Sequence, residues 1–344
     1  MTFGKSLIGL IAVLLATPTL AADAINVYSA RQEALIKPLL DRFTQDTGIT
    51  VNLVTGKADT LLAKMKLEAD NSPADVLITT DAGRLHRAKT AGLLQKVSSK
   101  LLDDSIPHNY RDPDNHWFGL SVRARVIVAA KGKTNTVNSY ESLADPTLRG
   151  KVCIRSSNNI YNQSLMASMI AAHGEQSALE WARGLVANFA RAPSGGDRDQ
   201  VLAAAGGLCD VAVVNTYYLA TMLTSDNPQH RTAAGAVTVV WPNQSNATQG
   251  RGTHVNVSGI GVTHTAAHRK GATARALKLI EHLVSKPAQR WYAEVNNEYP
   301  VVAGVAVSPV LQKWGDFKRD PLNLEKLGKL NATAVRLMDQ AGWK

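Results

Sequence analysis

Two adjacent tyrosines, Tyr217 and Tyr218, follow an apolar run that ends in Asn215. In open α/β sheets, ligands bind outside the carboxyl ends of the strands, where such strand-to-helix turns lie. Neighbouring residues on a strand point to opposite faces, but on a turn both phenols can point into one cleft. A tyrosine pair alone is more often a core or surface feature, so other residues must decide its role.

The two cysteines, Cys153 and Cys209, bring a third tyrosine into the argument. Cys153 lies eight residues before Tyr161, and Cys209 lies eight residues before Tyr217. An isolated cysteine pair in an oxidising compartment favours a disulfide, and two buried free thiols are the alternative. A disulfide brings two Cα atoms to about 5.5–6 Å. On parallel strands it would therefore bring Tyr161, Tyr217 and Tyr218 together.

Three convergent phenols suit a hard, highly charged cation. A phenol has a pKa of about 10, so several phenolates coexist at neutral pH only beside a strongly polarising ion. Ferric iron meets this requirement, and tyrosinate ligation of iron is known in haem proteins. Zinc would favour histidine and cysteine, and calcium would favour clustered carboxylates. The scattered histidines do not pair at metal-ligand spacing: His86, His108, His116, His173 and His254.

Three phenolates do not complete an octahedral shell, so an anion is expected as a further ligand. Arg31 follows the first predicted strand, and Arg123 lies in a long extended run. Arginine binds carboxylate-like and phosphate-like oxygens through two parallel hydrogen bonds. Arg125 shares a face with Arg123 on a regular strand, and spacing does not distinguish which of them reaches the cleft. Asn215 could orient a phenolate or the anion by a hydrogen bond.

The segments that must position these residues alternate between strands and helices. Glu33–Thr47 lies between the β-rich segments Ala24–Ser29 and Ile49–Val54, and Gly48 after it is a usual helix stop. Its apolar residues recur at helical spacing: Leu35, Ile36, Leu39, Leu40 and Phe43. The pattern continues with a strand at Asp75–Thr79 and, further along the chain, with helices at 162–173 and 178–189. It predicts an α/β fold with mixed, mostly parallel sheets and helices on both faces.

Two extended runs, Ser121–Ala130 and His254–Val262, are long enough to pass between two lobes. A chain of this length usually divides into more than one compact core. A chain that leaves the first lobe once and returns once makes a two-strand hinge, about which two-lobed binding proteins close. The alternative is that both runs are central strands of one large sheet. We expect a signal peptide at 1–22, an N-lobe of 23–121 plus about 254–300, and a C-lobe of 122–253 plus about 301–344 that carries the tyrosines.

The first 22 residues have the composition of a secretory signal peptide. Lys5 supplies a positive start, Ser6–Ala16 is apolar and Thr17–Ala22 ends in small residues. The apolar run is shorter than the ~20 residues that cross a bilayer, so we expect a periplasmic mature chain without membrane insertion. The net charge of +10 is dispersed and no recognition motif is evident, which argues against a nucleic-acid partner. No HExxH helix or Walker loop is evident, so we expect binding rather than catalysis.

Eight segments resemble the bacterial periplasmic ferric-ion-binding proteins, the iron-transport members of the two-lobed binding-protein superfamily. They are VYSARQE, TGITV, SPADVLITTDAGRL, LSVRARVIV, SSNNIYNQSL, VVNTYY, VSGIGV and NEYPV. The specific segments are SSNNIYNQSL, which contains Tyr161, and VVNTYY, which contains Tyr217 and Tyr218. The resemblance implies the type II periplasmic-binding-protein fold, also called transferrin-like, with an iron site of paired tyrosines in the cleft.

The chain departs from one branch of that family, in which a histidine follows the first strand and a glutamate lies after the third. Here those positions hold Gln32, or its neighbour Arg31, and Thr80. The sequence is therefore similar to the branch that uses three tyrosines with carbonate or bicarbonate. The resemblance implies that Tyr161 supplies the third phenolate and that Arg123, not Arg125, reaches the anion. Asp81 is close enough to be a substitute carboxylate, although TTDAGRL is typical of a helix cap.

The resemblance thus implies a protein that binds ferric iron with a synergistic anion and delivers it to an inner-membrane ABC permease. We expect it to act as a monomer. The alternative is a protein of the same fold that binds an oxyanion or a small organic solute, with the tyrosines stacking on that ligand or hydrogen-bonding to it.

Overall fold

The computed structural model describes residues 23–134, 137–245 and 250–344. The predicted signal peptide, residues 1–22, lies outside the described residues. Within them the strands are β1 (Ala24–Ser29), β2 (Thr50–Thr55), β3 (Val76–Thr80), β4 (Phe118–Ala130), β5 (Val152–Cys153), β6 (Val211–Asn215), β7 (Val237–Val240), β8 (Val255–Val262) and β9 (Tyr299–Pro300).

The α-helices of the described residues lie between and after these strands. They are α1 (Glu33–Thr47), α2 (Ala58–Glu68), α3 (Ala82–Thr90), α4 (Lys100–Ser105), α5 (Ile160–Ala187), α6 (Asp197–Ala205), α7 (Thr216–Leu223), α8 (Pro228–Gly235), α9 (Ala272–Leu283), α10 (Lys286–Glu294), α11 (Pro309–Lys313), α12 (Glu325–Lys329) and α13 (Asn331–Gln340). None of the helices in the described ranges combines the length and the apolarity that crossing a bilayer requires.

The strands form one mixed sheet path in the order β2-β1-β3-β8-β4-β6-β5, and β7 and β9 also pair with β4. Among the described strands, three of the eight pairings are parallel, and all five antiparallel pairings involve β4 or β8. The α/β class and the mixed sheet are therefore confirmed. The expected majority of parallel pairings is not found among these strands, because β4 and β8 run antiparallel to all of the strands they pair with.

The two extended runs expected to connect the lobes are β4 and β8, and they pair with each other. Their register runs from Ala124 opposite Val255 to Phe118 opposite Ile260, with an irregularity between Gly119 and Ser121. Beyond this pairing, the later half of β4 pairs with β6 and β7. β4 thus connects β8, which pairs with β3, to β6, which immediately precedes the tyrosine pair. The lobe boundaries given above stay a prediction.

Helix periodicity locates the buried faces that hold these strands. Of the five α1 residues with helical spacing, Leu35 is half-buried and the other four, Ile36, Leu39, Leu40 and Phe43, are buried. The helix ends at Gly48 in a left-handed conformation. The two helices expected within 162–189 meet in α5, which is interrupted at Gly174, where φ is 81° and ψ is 169°. Every residue of β6 and β8 is buried. Strands buried on both faces are typical of a sheet that helices cover on both sides.

Candidate metal centre

The tyrosine pair lies at the junction between β6 and α7. All of β6 is buried, and its last residue, Asn215, is still extended, with φ −83° and ψ 141°. The helix begins at Thr216, so Tyr217 and Tyr218 lie in its first turn. Their ring centroids are 4.2 Å apart with planes inclined by 34°. The turn therefore directs both phenols to one side, as the sequence predicted.

The disulfide expected from the sequence is present and aligns the third tyrosine with this pair. Cys153 and Cys209 are bonded with their Cα atoms 5.9 Å apart. The adjoining strands are parallel, with Cys153 opposite Ala212. Counted from this pair, Tyr161 lies eight residues and Tyr217 five residues further along the chain, and both emerge at the same edge of the sheet. The hydroxyl of Tyr217 donates to the hydroxyl of Tyr161 over 3.3 Å.

These tyrosines line a cavity of about 320 Å³. Gln32 and Thr80 also line it, at the two positions where the family branch discussed above has protein ligands. The remaining lining residues are Ala30, Arg31, Leu35, Arg198, Thr221, Val295, Asn296 and Glu298. The cavity thus combines three phenols with cationic and neutral polar side chains, which suits a metal ion accompanied by an anion.

The environment of the phenols favours their protonated form while no cation is bound. Burial raises the pKa of Tyr217 well above its usual value, and repulsion from Tyr161 and Tyr218 adds to the effect. Burial also raises the pKa of Tyr218, as does the proximity of Tyr161 and Asp197. A bound trivalent cation reverses this preference, because it stabilises the phenolate directly. The cluster is therefore set to exchange protons for a metal ion.

Three guanidinium groups lie over the faces of these rings. The Cζ atoms of Arg123 and Arg155 are 5.2 and 5.8 Å from the ring centroid of Tyr161. The Cζ of Arg198 is 5.0 Å from the ring centroid of Tyr218. Such contacts attract the cation to the aromatic face. They also supply positive charge that offsets developing phenolate charge, and Arg123 acts to lower the pKa of Tyr217.

Arg31 reaches the cavity but is not a free guanidinium. Its Nη1 donates to Ser258 Oγ at 2.6 Å and to the carboxylate of Glu298 at 3.1 and 3.2 Å. Burial alone would lower the pKa of Arg31, but the charge of Glu298 raises it above its usual value. The predicted anion-binding arginine is thus already paired with a carboxylate.

The other two predicted anion-binding residues lie on a different side of Tyr161. Arg123 and Asn215 line a small polar hollow of about 10 Å³ that Tyr161 also borders. Arg123 donates to Ser258 Oγ at 2.9 Å and to the Val257 carbonyl at 3.0 Å. Among the described residues, the buried Nδ2 of Asn215 has no hydrogen-bond partner. An acceptor oxygen near Tyr161 would satisfy it.

Arg123 and Arg125 both border the small hollow, but they have different partners. Arg125 donates to Asp197 at 2.8 Å, to Asn162 at 2.6 Å and to Asn215 at 3.4 Å. It is a buried support for the strand ends, whereas Arg123 lies against Tyr161. That Arg123 rather than Arg125 reaches the anion stays a prediction.

Asp81 caps a helix and borders the small hollow next to Tyr161. Its Oδ1 accepts from the backbone N–H of Gly83 at 2.9 Å, at the start of α3, and from Ser164 Oγ at 2.8 Å. Its Oδ2 accepts from Asn256 at 2.9 Å. The contact with Gly83 confirms the capping interpretation of TTDAGRL, and Asp81 does not line the large cavity.

An acidic cluster outside the cavity is occupied by a side chain. Within the described ranges, the group of carboxylates and histidine that could hold a metal ion is Asp112, Asp114 and His116. The ammonium of Lys89 lies 2.7 Å from both aspartates. Although burial would lower the pKa of Lys89, hydrogen bonds to Asp112 and Asp114 raise it. A fixed cation therefore already fills the cluster.

Sequence reasoning missed Glu298, Ser258 and Arg198. Glu298 and Ser258 contact Arg31 from 267 and 227 residues away in the chain. The NEYPV and VSGIGV segments contain these residues, but nothing in either pattern relates a carboxylate or hydroxyl to the tyrosines. Arg198 follows a Gly-Gly-Asp turn and carried no signal beyond its charge.

Comparison with known proteins provides the family. A sequence profile described as bacterial extracellular solute-binding protein matches residues 71–319, more than half of the chain. The chain belongs to this family. Iron uptake protein A1 of Synechocystis sp. is 49% identical to this solute-binding protein over 322 residues, covering 93% of this chain and 87% of that one.

Solved structures agree with the two-lobed type II fold expected for this solute-binding protein. Trichodesmium FutA (IdiA) in complex with iron and citrate ligands superposes with a TM-score of 0.88 at 49% identity, covering 93% of this chain and 100% of that one. Mannheimia haemolytica ferric iron-binding protein A in an open conformation gives 0.85 at 42% identity, covering 94% and 99%. The transferrin-like α/β architecture predicted from the sequence is confirmed.

Proposed function

We propose that this solute-binding protein binds one ferric ion through the phenolate oxygens of Tyr161, Tyr217 and Tyr218. The observation that carries the proposal is the convergence of three phenols on one cavity, with the hydroxyls of Tyr161 and Tyr217 3.3 Å apart. Iron uptake and ferric binding by relatives of 42–49% identity support it. The role is capture and transfer of the ion, without chemistry on it.

A synergistic anion, carbonate or bicarbonate, completes the iron shell in this proposal. Arg31, Arg123 and Asn215 hold it, since each offers donors close to the tyrosines, and the unpartnered Nδ2 of Asn215 supports this role. Citrate is the competing anion, because the Trichodesmium relative was solved with iron and citrate. Anion analysis of protein loaded with iron in bicarbonate, and separately in citrate, distinguishes the two.

The protein acts as a monomer in the periplasm and delivers iron to an inner-membrane ABC permease. The lobes, 23–121 plus about 254–300 and 122–253 plus about 301–344, close about β4 and β8 when iron and anion are bound. A relative solved in an open conformation supports such motion. Small-angle scattering should show a smaller radius of gyration and an unchanged monomeric mass on loading; an unchanged radius would contradict closure.

The direct test is optical. Mature protein mixed with ferric salt and bicarbonate should turn orange-red from charge transfer between phenolate and iron. Y217F should lower iron affinity by more than about 100-fold, beyond the loss usual for residues that only support a ligand. Y28F is the matched control, because Tyr28 lies in β1 and its hydroxyl contacts Glu68 at 3.1 Å, away from the cavity. It should keep full colour.

A protein that bound an oxyanion or a small organic solute instead would stay colourless with ferric salt. Such a ligand would still raise the melting temperature by mass action. Colourless wild-type protein with no heat of iron binding would refute the ferric assignment, and unchanged affinity in Y217F would remove that residue from the ligand set.

A further inference from the structure

A buried carboxylate lies in the cavity proposed for the anion. Glu298 is 3% exposed and immediately precedes β9. It lines the same cavity as the three tyrosines. Arg31 Nη1 donates to its two carboxylate oxygens at 3.2 and 3.1 Å, and Ser121 Oγ donates to Oε2 at 2.6 Å. An acidic group is unexpected beside a bound anion, because the two negative charges repel each other.

Glu298 leaves less positive charge for an incoming anion than the arginines alone suggest. Arg31 and Arg123 both donate to the hydroxyl of Ser258, at 2.6 and 2.9 Å. These two cations therefore share one neutral acceptor, while Glu298 neutralises Arg31. Without the carboxylate, the pair would attract strongly any small oxyanion, whatever its charge or protonation state.

An ionised carboxylate only accepts hydrogen bonds, and it offers about four lone-pair positions. An oxyanion without a proton has no donor for Glu298, and in a site of low dielectric constant it is repelled by that charge. An oxyanion that carries a proton can donate it in a hydrogen bond to Glu298 while its other oxygens face the metal and the arginines. The carboxylate therefore discriminates by protonation as well as by charge.

We propose that Glu298 is a specificity-determining residue that admits a protonated oxyanion, such as bicarbonate or hydrogen phosphate, as the partner of iron and disfavours an unprotonated one such as sulfate. This inference rests on the proposed function, since anion binding is measured through the absorption of the iron complex. Ser121 and Arg31 position the carboxylate for this role through the contacts given above.

The experiment measures, for each anion, the concentration that gives half of the maximal phenolate-to-iron absorption in carbonate-free buffer with ferric chloride. The probes are bicarbonate, phosphate and sulfate. Wild-type protein should need at least about tenfold more sulfate than bicarbonate, a modest effect for like charges brought together at a binding site. E298Q should reduce this sulfate-to-bicarbonate ratio about tenfold or reverse it. E298D, which keeps the charge, should retain the preference for bicarbonate.

E294Q is the matched control, because Glu294 is an exposed residue at the end of α10 and does not line the cavity. Its anion ratio should equal that of wild type. Two results would overturn the inference without affecting the proposal of iron binding. One is that sulfate is as effective as bicarbonate in the wild type, and the other is that E298Q and wild type have the same sulfate-to-bicarbonate ratio. If E298Q is unfolded by circular dichroism, the wild-type ratio and E298D decide. Absence of absorption with every anion refutes the proposed function instead.

Discussion

The hydroxyls of Tyr161 and Tyr217 lie 3.3 Å apart although the residues are separated by 56 positions, the same separation as that of the disulfide-bonded Cys153 and Cys209. The two strands are parallel and pair at Cys153 and Ala212, so the turns that follow them meet at one edge of the sheet. The disulfide thus does more than restrain the chain, because it holds in register the two strands whose turns present the phenols. Changes to the disulfide, to the phenols and to the residues that support them should therefore affect stability and iron affinity to different degrees.

Iron affinity should rise with pH. Burial and neighbouring tyrosines raise the pKa of Tyr217, and burial raises that of Tyr218, so both hold their protons at neutral pH in the iron-free protein. Binding must displace these protons from the phenols that ligate the ion. Titration in weakly buffered solution with a pH electrode, and competition against a chelator at several pH values, measure this. Affinity independent of pH after correction for the chelator would contradict it.

Reducing the disulfide should lower stability without unfolding the core. The bond closes a loop whose ends are 56 residues apart, and loop-closure entropy for this length corresponds to about 4 kcal/mol. Urea unfolding of C153S/C209S should show a lower midpoint with a similar slope. As a check, the urea midpoint of wild-type protein is measured with and without a phosphine reductant. An unchanged midpoint would show that the disulfide adds no stability.

Asp197 should be one of the most sensitive supporting residues. Its carboxylate is buried and accepts from Arg125 at 2.8 Å, from Arg155 at 3.3 Å and from the backbone N–H of Asn215 at 2.6 Å. D197A leaves Arg125 buried without its counter-charge, which should cost about 3–5 kcal/mol. Chemical denaturation measures the loss, and iron affinity should fall as well, because Asn215 immediately precedes the turn that carries Tyr217.

The control for Asp197 is a surface ion pair. Glu175 pairs with Arg336 with about half of each side chain exposed. E175A should change the free energy of unfolding by less than about 0.5 kcal/mol. Comparable losses in D197A and E175A would mean that burial of the Asp197 network contributes little.

A methyl group at Gly259 should disturb the pairing of β8 with its neighbours. A Cβ there would lie 2.6 Å from Leu85 Cδ1 and 2.7 Å from the Phe118 carbonyl oxygen. Because the backbone of β4 cannot yield cheaply, G259A should destabilise the protein by about 1–3 kcal/mol. G235A is the comparison, since a Cβ at Gly235 meets no atom within 4 Å. A midpoint in G259A as high as in G235A would show that the strands adjust freely.

Local patterns predicted much of the fold. The spacing of Ile36, Leu39, Leu40 and Phe43 predicted the buried face of α1, and Gly48 its end. The interruption of α5 at Gly174 lies between the two helices that periodicity indicated. These features depend on residues within a few turns of one another, so the chain itself contains the information. The antiparallel insertion of β4 and β8 depends on contacts between distant segments and was not foreseen in detail.

The sequence by itself determined the chemistry of this protein: its three phenols, the cysteine pair that could align them, and the absence of the histidine and glutamate at Gln32 and Thr80. Side-chain type and spacing along two strand-to-helix units suffice for that. Only the tertiary structure decided that Arg31 is paired with Glu298 and that Arg123 and Asn215 border a separate hollow. Those contacts join segments far apart in the chain, and local residue spacing carries no information about which distant groups meet.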